Sequence, residues 1–214
     1  MVDHERVALM WADARLHLIR QANPLSSLVA SLDPISHVPE HDRLRALVSA
    51  IVGQQLSTRA ASTIRSRLLR CIGPGGFLEA LDRADDAALV ACGLSNAKLR
   101  SVRDLASRIR DGSLPLHAFD AKSDDEVRQS LLLVKGVGPW TADMFLIFSM
   151  CRPDVLATTD LGIQVAVGRL LGFPGKADPT QVAVAAKAGG WHPFASAACL
   201  YLWRSLDGPG ALNT

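Results

Sequence analysis

Residues 131–143, Leu131-Leu132-Leu133-Val134-Lys135-Gly136-Val137-Gly138-Pro139-Trp140-Thr141-Ala142-Asp143, read as helix, tight turn, helix. An apolar run stops at Lys135. Two glycines separated by one valine then allow positive φ and close backbone approach. Pro139 suits the first turn of the second helix, where its missing N–H costs nothing. Such a turn presents backbone amides at a helix N-terminus, and amides and dipole together suit a phosphate without reading any base. An ordinary αα-corner uses glycines too, so the turn alone does not separate a DNA clamp from a packing device.

Outward from this turn, long i, i+3, i+4, i+7 apolar patterns recur and strict alternation is almost absent, which makes the chain all-α. The patterns predict helices over about 4–21, 25–32, 42–51, 57–72, 75–81, 84–91, 95–111, 124–134, 139–151, 159–171, 179–188 and 193–206. Punctuation agrees: Ser57 and Ser123 precede helical runs as N-caps, while Gly73-Pro74-Gly75-Gly76 and Gly172-Phe173-Pro174-Gly175 interrupt them. The expected architecture is a two-lobed helical bundle. Residues 37–150 form one lobe, holding the hairpin at about 124–151, and 1–36 with 151–214 form the other, with an active-site cleft expected between them.

A 49% hydrophobic content supplies a sizeable core and excludes a disordered chain. No apolar run approaches the ~18 residues of a membrane span, and no signal-peptide pattern opens the sequence, so a cytoplasmic, nucleoid-associated protein is expected; a monomer is expected too, though nothing in the sequence bears on oligomeric state. Cys71, Cys92, Cys151 and Cys199 are scattered without a C-x-x-C, which argues against a zinc knuckle, a redox dithiol or a disulfide framework. The histidines offer no ligand pair on one helix face, so no metal or other cofactor is expected. Net charge is only +2, yet residues 41–110 carry 12 Lys and Arg against 6 acids, including Arg59, Arg65, Arg67, Arg70, Lys98, Arg100, Arg103, Arg108 and Arg110. That excess is compatible with a nucleic-acid face, although charge alone favours a solvated helix surface.

The wider string resembles the helix-hairpin-helix motif of the DNA glycosylase superfamily, typically L-x-G-V-G-x-x-T-A with a catalytic aspartate downstream. Asp160 stands 22 residues after Gly138. The resemblance continues through Ile51-Val52-Gly53-Gln54-Gln55-Leu56-Ser57, Gly93-Leu94-Ser95-x-x-Lys98 and Trp191-x-Pro193-Phe194-x-Ser196-x-Ala198, and so covers about residues 40–206. The set looks like DNA-3-methyladenine glycosylase II in a short form without an extra N-terminal mixed domain. It implies a monofunctional enzyme that flips alkylated bases of the 3-methyladenine and 7-methylguanine type out of double-stranded DNA and hydrolyses them off, leaving an abasic site. The alternative is a non-catalytic helix-hairpin-helix DNA-binding protein, which would have no use for a carboxylate that repels DNA.

By that resemblance Asp160 is catalytic, the anion that a cationic sugar-like transition state needs. Trp140 stands where backbone-cleaving relatives carry a lysine, and an indole forms no Schiff base. Trp140, Phe194 and Met144 line the base pocket, Met144 replacing an aromatic usual in the family. Gln55 is the wedge that fills the hole left by the flipped base, with Leu56 as the alternate. Lys135, Gly136, Gly138, Thr141 and Lys98 contact DNA phosphates. No structural metal is expected; the resemblance allows a monovalent cation at the carbonyls of Val134 and Gly136. Ala195 replaces a usual arginine, whose role is therefore not carried over.

Overall fold

The structure, a computed structural model, describes residues 4–73 and 75–207; Pro74 of the Gly-Pro break lies outside them. The described residues form twelve helices and a short 3-10 turn, with no strand. In chain order these are α1 (His4–Arg20), α2 (Pro24–Ser31), α3 (Arg43–Gly53), α4 (Thr58–Ile72), α5 (Phe77–Arg83), α6 (Asp86–Ala91) and α7 (Asn96–Arg110), followed by the 3-10 turn Leu116–Ala121. After it come α8 (Asp124–Leu132), α9 (Pro139–Phe148), α10 (Leu161–Leu170), α11 (Pro179–Ala188) and α12 (Ala195–Asp207).

Caps explain most of the helix starts. Ser57, Ser95 and Ser123 each accept the N–H three residues on, and Asn23, Ser123 and Asp178 complete reciprocal capping boxes with Ser26, Glu126 and Gln181. Each such cap is worth about 1 kcal/mol. Two features depart from the sequence reading. The 3-10 turn is not foreseen, because six residues are too short for a periodic signal; it buries Leu116 and Phe119. The helix expected from Thr159 begins at Leu161, because Asp160 is itself the N-cap, with an extended backbone (φ −74°, ψ 126°) and its side chain on the Ile163 N–H.

The chain divides into two units, one running from Glu40 to Phe145, the other combining the segment up to Pro39 with that from Leu146 onward. The second division falls inside α9 rather than at 150. The physical reason is Phe148, which stacks on Trp203 at 5.5 Å and meets His37 edge-on at 5.4 Å, so the end of α9 packs with the terminal segments.

In the terminal unit, Val7, Trp11, Ala14 and Leu18 form the buried stripe of α1, and Leu25, Trp191 and Tyr201 complete the largest part of the core. Arg15 reaches the carbonyls of Val29 and Leu32 at 2.7 Å, closing the C-terminus of α2. In the central unit, α3 buries Leu44, Leu47, Val48, Ile51 and Val52, and α7 buries Leu99, Val102, Leu105 and Ala106. Arg128 on α8 donates to Asp143 on α9 at 2.9 Å, which ties the two hairpin helices together. Burial pushes the Asp143 carboxyl above its usual range, with Arg128 opposing the shift.

Candidate functional site

Of the two hairpin glycines, only Gly136 needs to be one. Its φ is +74° and a Cβ there would overlap Ser101 Oγ on α7, whereas Gly138 has no positive φ and its absent Cβ points into open space. The Lys135 N–H is already taken, donating to Asp104 Oδ2 at 2.9 Å. Burial alone would raise the Asp104 carboxyl, but the Lys135 N–H and Arg108 together hold it below its ordinary value. The early N–H groups of α9 have no intrahelical acceptors by construction, leaving that end of the hairpin as the place for an anion. Val134 C=O accepts from Val137 N–H at 3.1 Å and Gly136 C=O accepts from the Gln54 amide at 2.8 Å. A carbonyl has two lone pairs, so neither bond by itself conflicts with a cation at these oxygens.

The same unit brings the wedge candidates to this hairpin. Gln54 Nε2 donates at 2.8 Å to both Gly136 O and Thr141 Oγ1. Next to this anchored residue, Gln55 is exposed with φ +57°, a left-handed conformation that costs a side chain with a Cβ roughly 1–2 kcal/mol. Leu56 is 39% exposed. Two residues expected on phosphate are otherwise engaged. The Thr141 side chain is 1% exposed and its hydroxyl faces Gln54, because the position lies on the inner side of α9. The Lys98 ammonium donates at 2.8 Å to the carbonyls of Val52 and Gln54, because α3 ends there with its last carbonyls unpaired. Burial lowers the Lys98 pKa. Trp140 is half-buried in the first turn of α9, and Met144, one turn on, is buried.

The basic stretch of the central unit is largely spent internally. Arg65 donates to Ser49 O, Arg103 to Leu81 O, Ala84 O and Asp86, Arg108 to Asp104, and Arg110 pairs with Asp82. Arg59, Arg67, Arg70 and Arg100 stay exposed. The charge excess therefore overstates the surface available to a polyanion.

In the terminal unit, Asp160 caps α10. Its Oδ1 accepts the Ile163 N–H and the Trp203 indole Nε1–H, both at 2.8 Å, and the residue is only 9% exposed. Gly162 makes the arrangement possible, since a Cβ there would lie 3.0 Å from both Asp160 Oδ1 and Trp203 Cδ1. Behind the carboxylate, Gln164 donates to Thr158 O at 3.0 Å and accepts from Lys176 Nζ at 2.7 Å, which fixes the loop entering the cap. Nearer the C-terminus, fully buried Ser196 donates to Arg152 O at 2.6 Å and accepts from Val155 N–H at 2.9 Å, and Asp154 Oδ1 accepts the Ala195 N–H at 3.1 Å. Phe194 is half-buried, its ring 5.3 Å from that of His17. A separate apolar cavity of about 460 Å³ between α2, α10 and α11 includes none of the expected site residues.

Sequence reasoning missed Gln54, Asp104 and Trp203. Gln54 differs from Gln55 only by its place in a Gln-Gln doublet, and Trp203 lies 43 residues from its partner with no local pattern to join them.

A phosphate-suited hairpin tied to an exposed glutamine tip, in a chain that also caps a helix with a buried aspartate, fits one class of protein. Residues 48–191 match the model of the HhH-GPD superfamily of base excision DNA repair proteins, and the chain belongs to that superfamily. It is 29% identical over 209 residues to DNA-3-methyladenine glycosylase 1 of Schizosaccharomyces pombe, covering 95% of this chain and 91% of that protein. With the putative DNA-3-methyladenine glycosylase YfjP of Bacillus subtilis it shares 28% over 177 residues, 79% of this chain but 61% of that protein. Among solved structures, the Schizosaccharomyces pombe 3-methyladenine DNA glycosylase in complex with abasic DNA superposes with TM-score 0.82 at 28% identity, over 92% of this chain and 97% of that one. A DNA-3-methyladenine glycosidase from Bacillus halodurans gives TM-score 0.75 at 32% identity, over 88% and 87%.

Proposed function

We propose that the protein is a monofunctional DNA glycosylase of base excision repair, which flips alkylated purines out of duplex DNA in the cytoplasm and releases them by hydrolysis. The observation that carries this reading is Asp160: a carboxylate only 9% exposed, with Oδ1 fixed by two N–H donors at a helix start. As the base departs, positive charge grows on the sugar, and a fixed anion beside C1′ stabilises it without reorganising. Superfamily membership supports the DNA backbone as the hairpin's partner, and in this reading Gly136 and Gly138 let a phosphate approach the turn. Gln55, exposed at the loop tip, fills the space of the flipped base and offers hydrogen bonds to its orphaned partner. Trp140 and Met144, one turn apart on α9, wall the base, and an indole stacks well on an electron-deficient alkylated purine. Because Trp140 is no nucleophile toward C1′, the product is an intact abasic strand.

The test is release of free base from duplexes carrying 3-methyladenine, 7-methylguanine or 1-methyladenine, scored together with alkali-labile abasic sites. The expected result is stoichiometric base and abasic site, with no protein–DNA adduct trapped by borohydride. Binding without release from any substrate would instead identify a non-catalytic DNA-binding module.

A further inference from the structure

Lys98, Ser101 and Asp104 follow one another at three-residue spacing and so lie along one face of α7. Each touches a different part of the DNA-directed surface. Lys98 holds the carbonyls of Val52 and Gln54 at the root of the Gln55 loop, Ser101 lies against Gly136, and Asp104 accepts the Lys135 N–H. A second, direct link runs from the loop to the hairpin, since both Gln54 amide hydrogens are spent on Gly136 O and Thr141 Oγ1. Loop and hairpin are thus joined twice, once through a side chain and once through a rigid helix. Beyond these anchors, which hold Val52 and Gln54 on the entering side of the loop, Gln55, Leu56 and the cap residue Ser57 are exposed.

We infer that this face of α7 is a register bar and that Gln54 and Lys98 are positioning residues, setting how deeply the Gln55 tip enters the duplex relative to the phosphates held by the hairpin. The inference rests on the reading of Gln55 as the wedge. The physical reason is stiffness. A wedge supports a flipped base only if its reach from the phosphates is fixed, and an exposed loop tip acquires a fixed reach when the residues leading into it are anchored. A lysine spent entirely on attracting DNA would instead leave its ammonium in solvent. Here the ammonium closes the end of α3, and its positive charge suits that helix C-terminus.

Gln54→Met and Lys98→Met remove the donors while keeping the length of the side chains. Four readouts separate the possibilities: thermal melting, affinity for undamaged duplex, single-turnover base release from duplex and from single strand carrying one lesion, and 2-aminopurine fluorescence opposite an abasic analogue. Both variants are expected to melt cooperatively, to bind undamaged duplex within about threefold of the parent, and to slow release from duplex about tenfold or more while single-strand release stays within about threefold. The 2-aminopurine change on binding should fall by about half or more, and Lys98→Arg, which keeps donors for both carbonyls, should restore it. Equal slowing on both substrates, or unchanged duplex release and fluorescence with an intact fold, overturns the inference. If Lys98→Met does not fold, Gln54→Met decides alone. Should the parent release no base while its fluorescence change still depends on Gln54, the enzymatic reading fails and the register bar stands.

Discussion

Trp203 donates its indole Nε1–H to Asp160 Oδ1 at 2.8 Å, the same oxygen that accepts the Ile163 N–H and caps α10. A side chain from the last helix therefore sets the rotamer of the carboxylate proposed to be catalytic. Trp203→Phe keeps an aromatic ring to stack on Phe148 but removes the donor. Hydrogen bonds to charged groups contribute about 1.5–3 kcal/mol, so a lower melting temperature is expected. Misplacing the anion should also slow single-turnover release by roughly 10- to 100-fold. An unchanged release rate in a destabilised but folded variant would restrict Trp203 to packing.

The two hairpin glycines should respond oppositely. Gly136→Ala forces a Cβ into φ +74° and against Ser101 Oγ, and should cost about 1–3 kcal/mol of stability. Gly138→Ala meets open space at an ordinary φ and should be neutral, or stabilising by up to about 1 kcal/mol. If a phosphate seats beside Gly138, the added methyl nevertheless weakens duplex affinity about tenfold or more, on damaged and undamaged DNA alike. Melts and titrations on the two variants decide; full affinity in Gly138→Ala would move the phosphate elsewhere.

Basic residues of the central unit should divide by partner rather than by charge. Arg59 is exposed just after the Gln55 loop, while Arg103 is bound to Leu81 O, Ala84 O and Asp86. Arg59→Ala should reduce the slope of log affinity against log salt by about 0.9, the contribution of one phosphate contact. Arg103→Ala should leave that slope alone and lower the melting temperature.

The contrast marks what the sequence could and could not reveal. Helix positions followed from apolar period and cap chemistry, and the hairpin was legible because Gly136 and Pro139 answer local backbone demands, a left-handed turn and a first helical turn. The uses of Lys98, Thr141 and Arg103 were not legible. A charged or hydroxyl side chain looks the same in sequence whether it meets solvent, phosphate or a carbonyl 46 residues away, as Lys98 does. The Asp160–Trp203 contact was hidden for the same reason: it is set by tertiary packing, and no spacing rule joins α10 to α12.

Acid should loosen the terminal unit through His37. Its ring is half-buried, with Nε2 2.8 Å from Phe148 O and an edge-on contact to the Phe148 ring, and partial burial holds its pKa below the ordinary 6.5, with Arg204 adding to the shift and the Phe148 carbonyl opposing it. The unfolded chain therefore takes up the proton first. His37 stabilises the fold fully above pH 6.5, and that contribution is lost as pH falls through 6.5 toward the lower folded value. Between about pH 7.5 and about pH 5.5 the parent should lose more melting temperature than His37→Gln, which carries no titrating group. Parallel losses in the two proteins would show that His37 does not contribute to the acid response.

Asp160→Asn isolates charge from structure. The amide oxygen of asparagine caps a helix about as well as a carboxylate, so it can still accept from Ile163 N–H and Trp203 Nε1–H, and the fold should lose no more than about 1 kcal/mol from the helix dipole. The reaction loses its anion. Removing one fixed electrostatic contribution to a transition state typically costs about 10²–10³ in rate, and loss of any water-activating role adds to that. Binding should move the other way, because a neutral side chain no longer repels nearby phosphates. Three measurements on one variant are therefore expected to diverge: melting temperature close to the parent, affinity for lesion duplex equal or tighter, single-turnover release slower by at least about a hundredfold. Release within about threefold of the parent, a barrier difference under about 0.7 kcal/mol, would leave Asp160 as a capping residue and remove the carboxylate from the proposed chemistry.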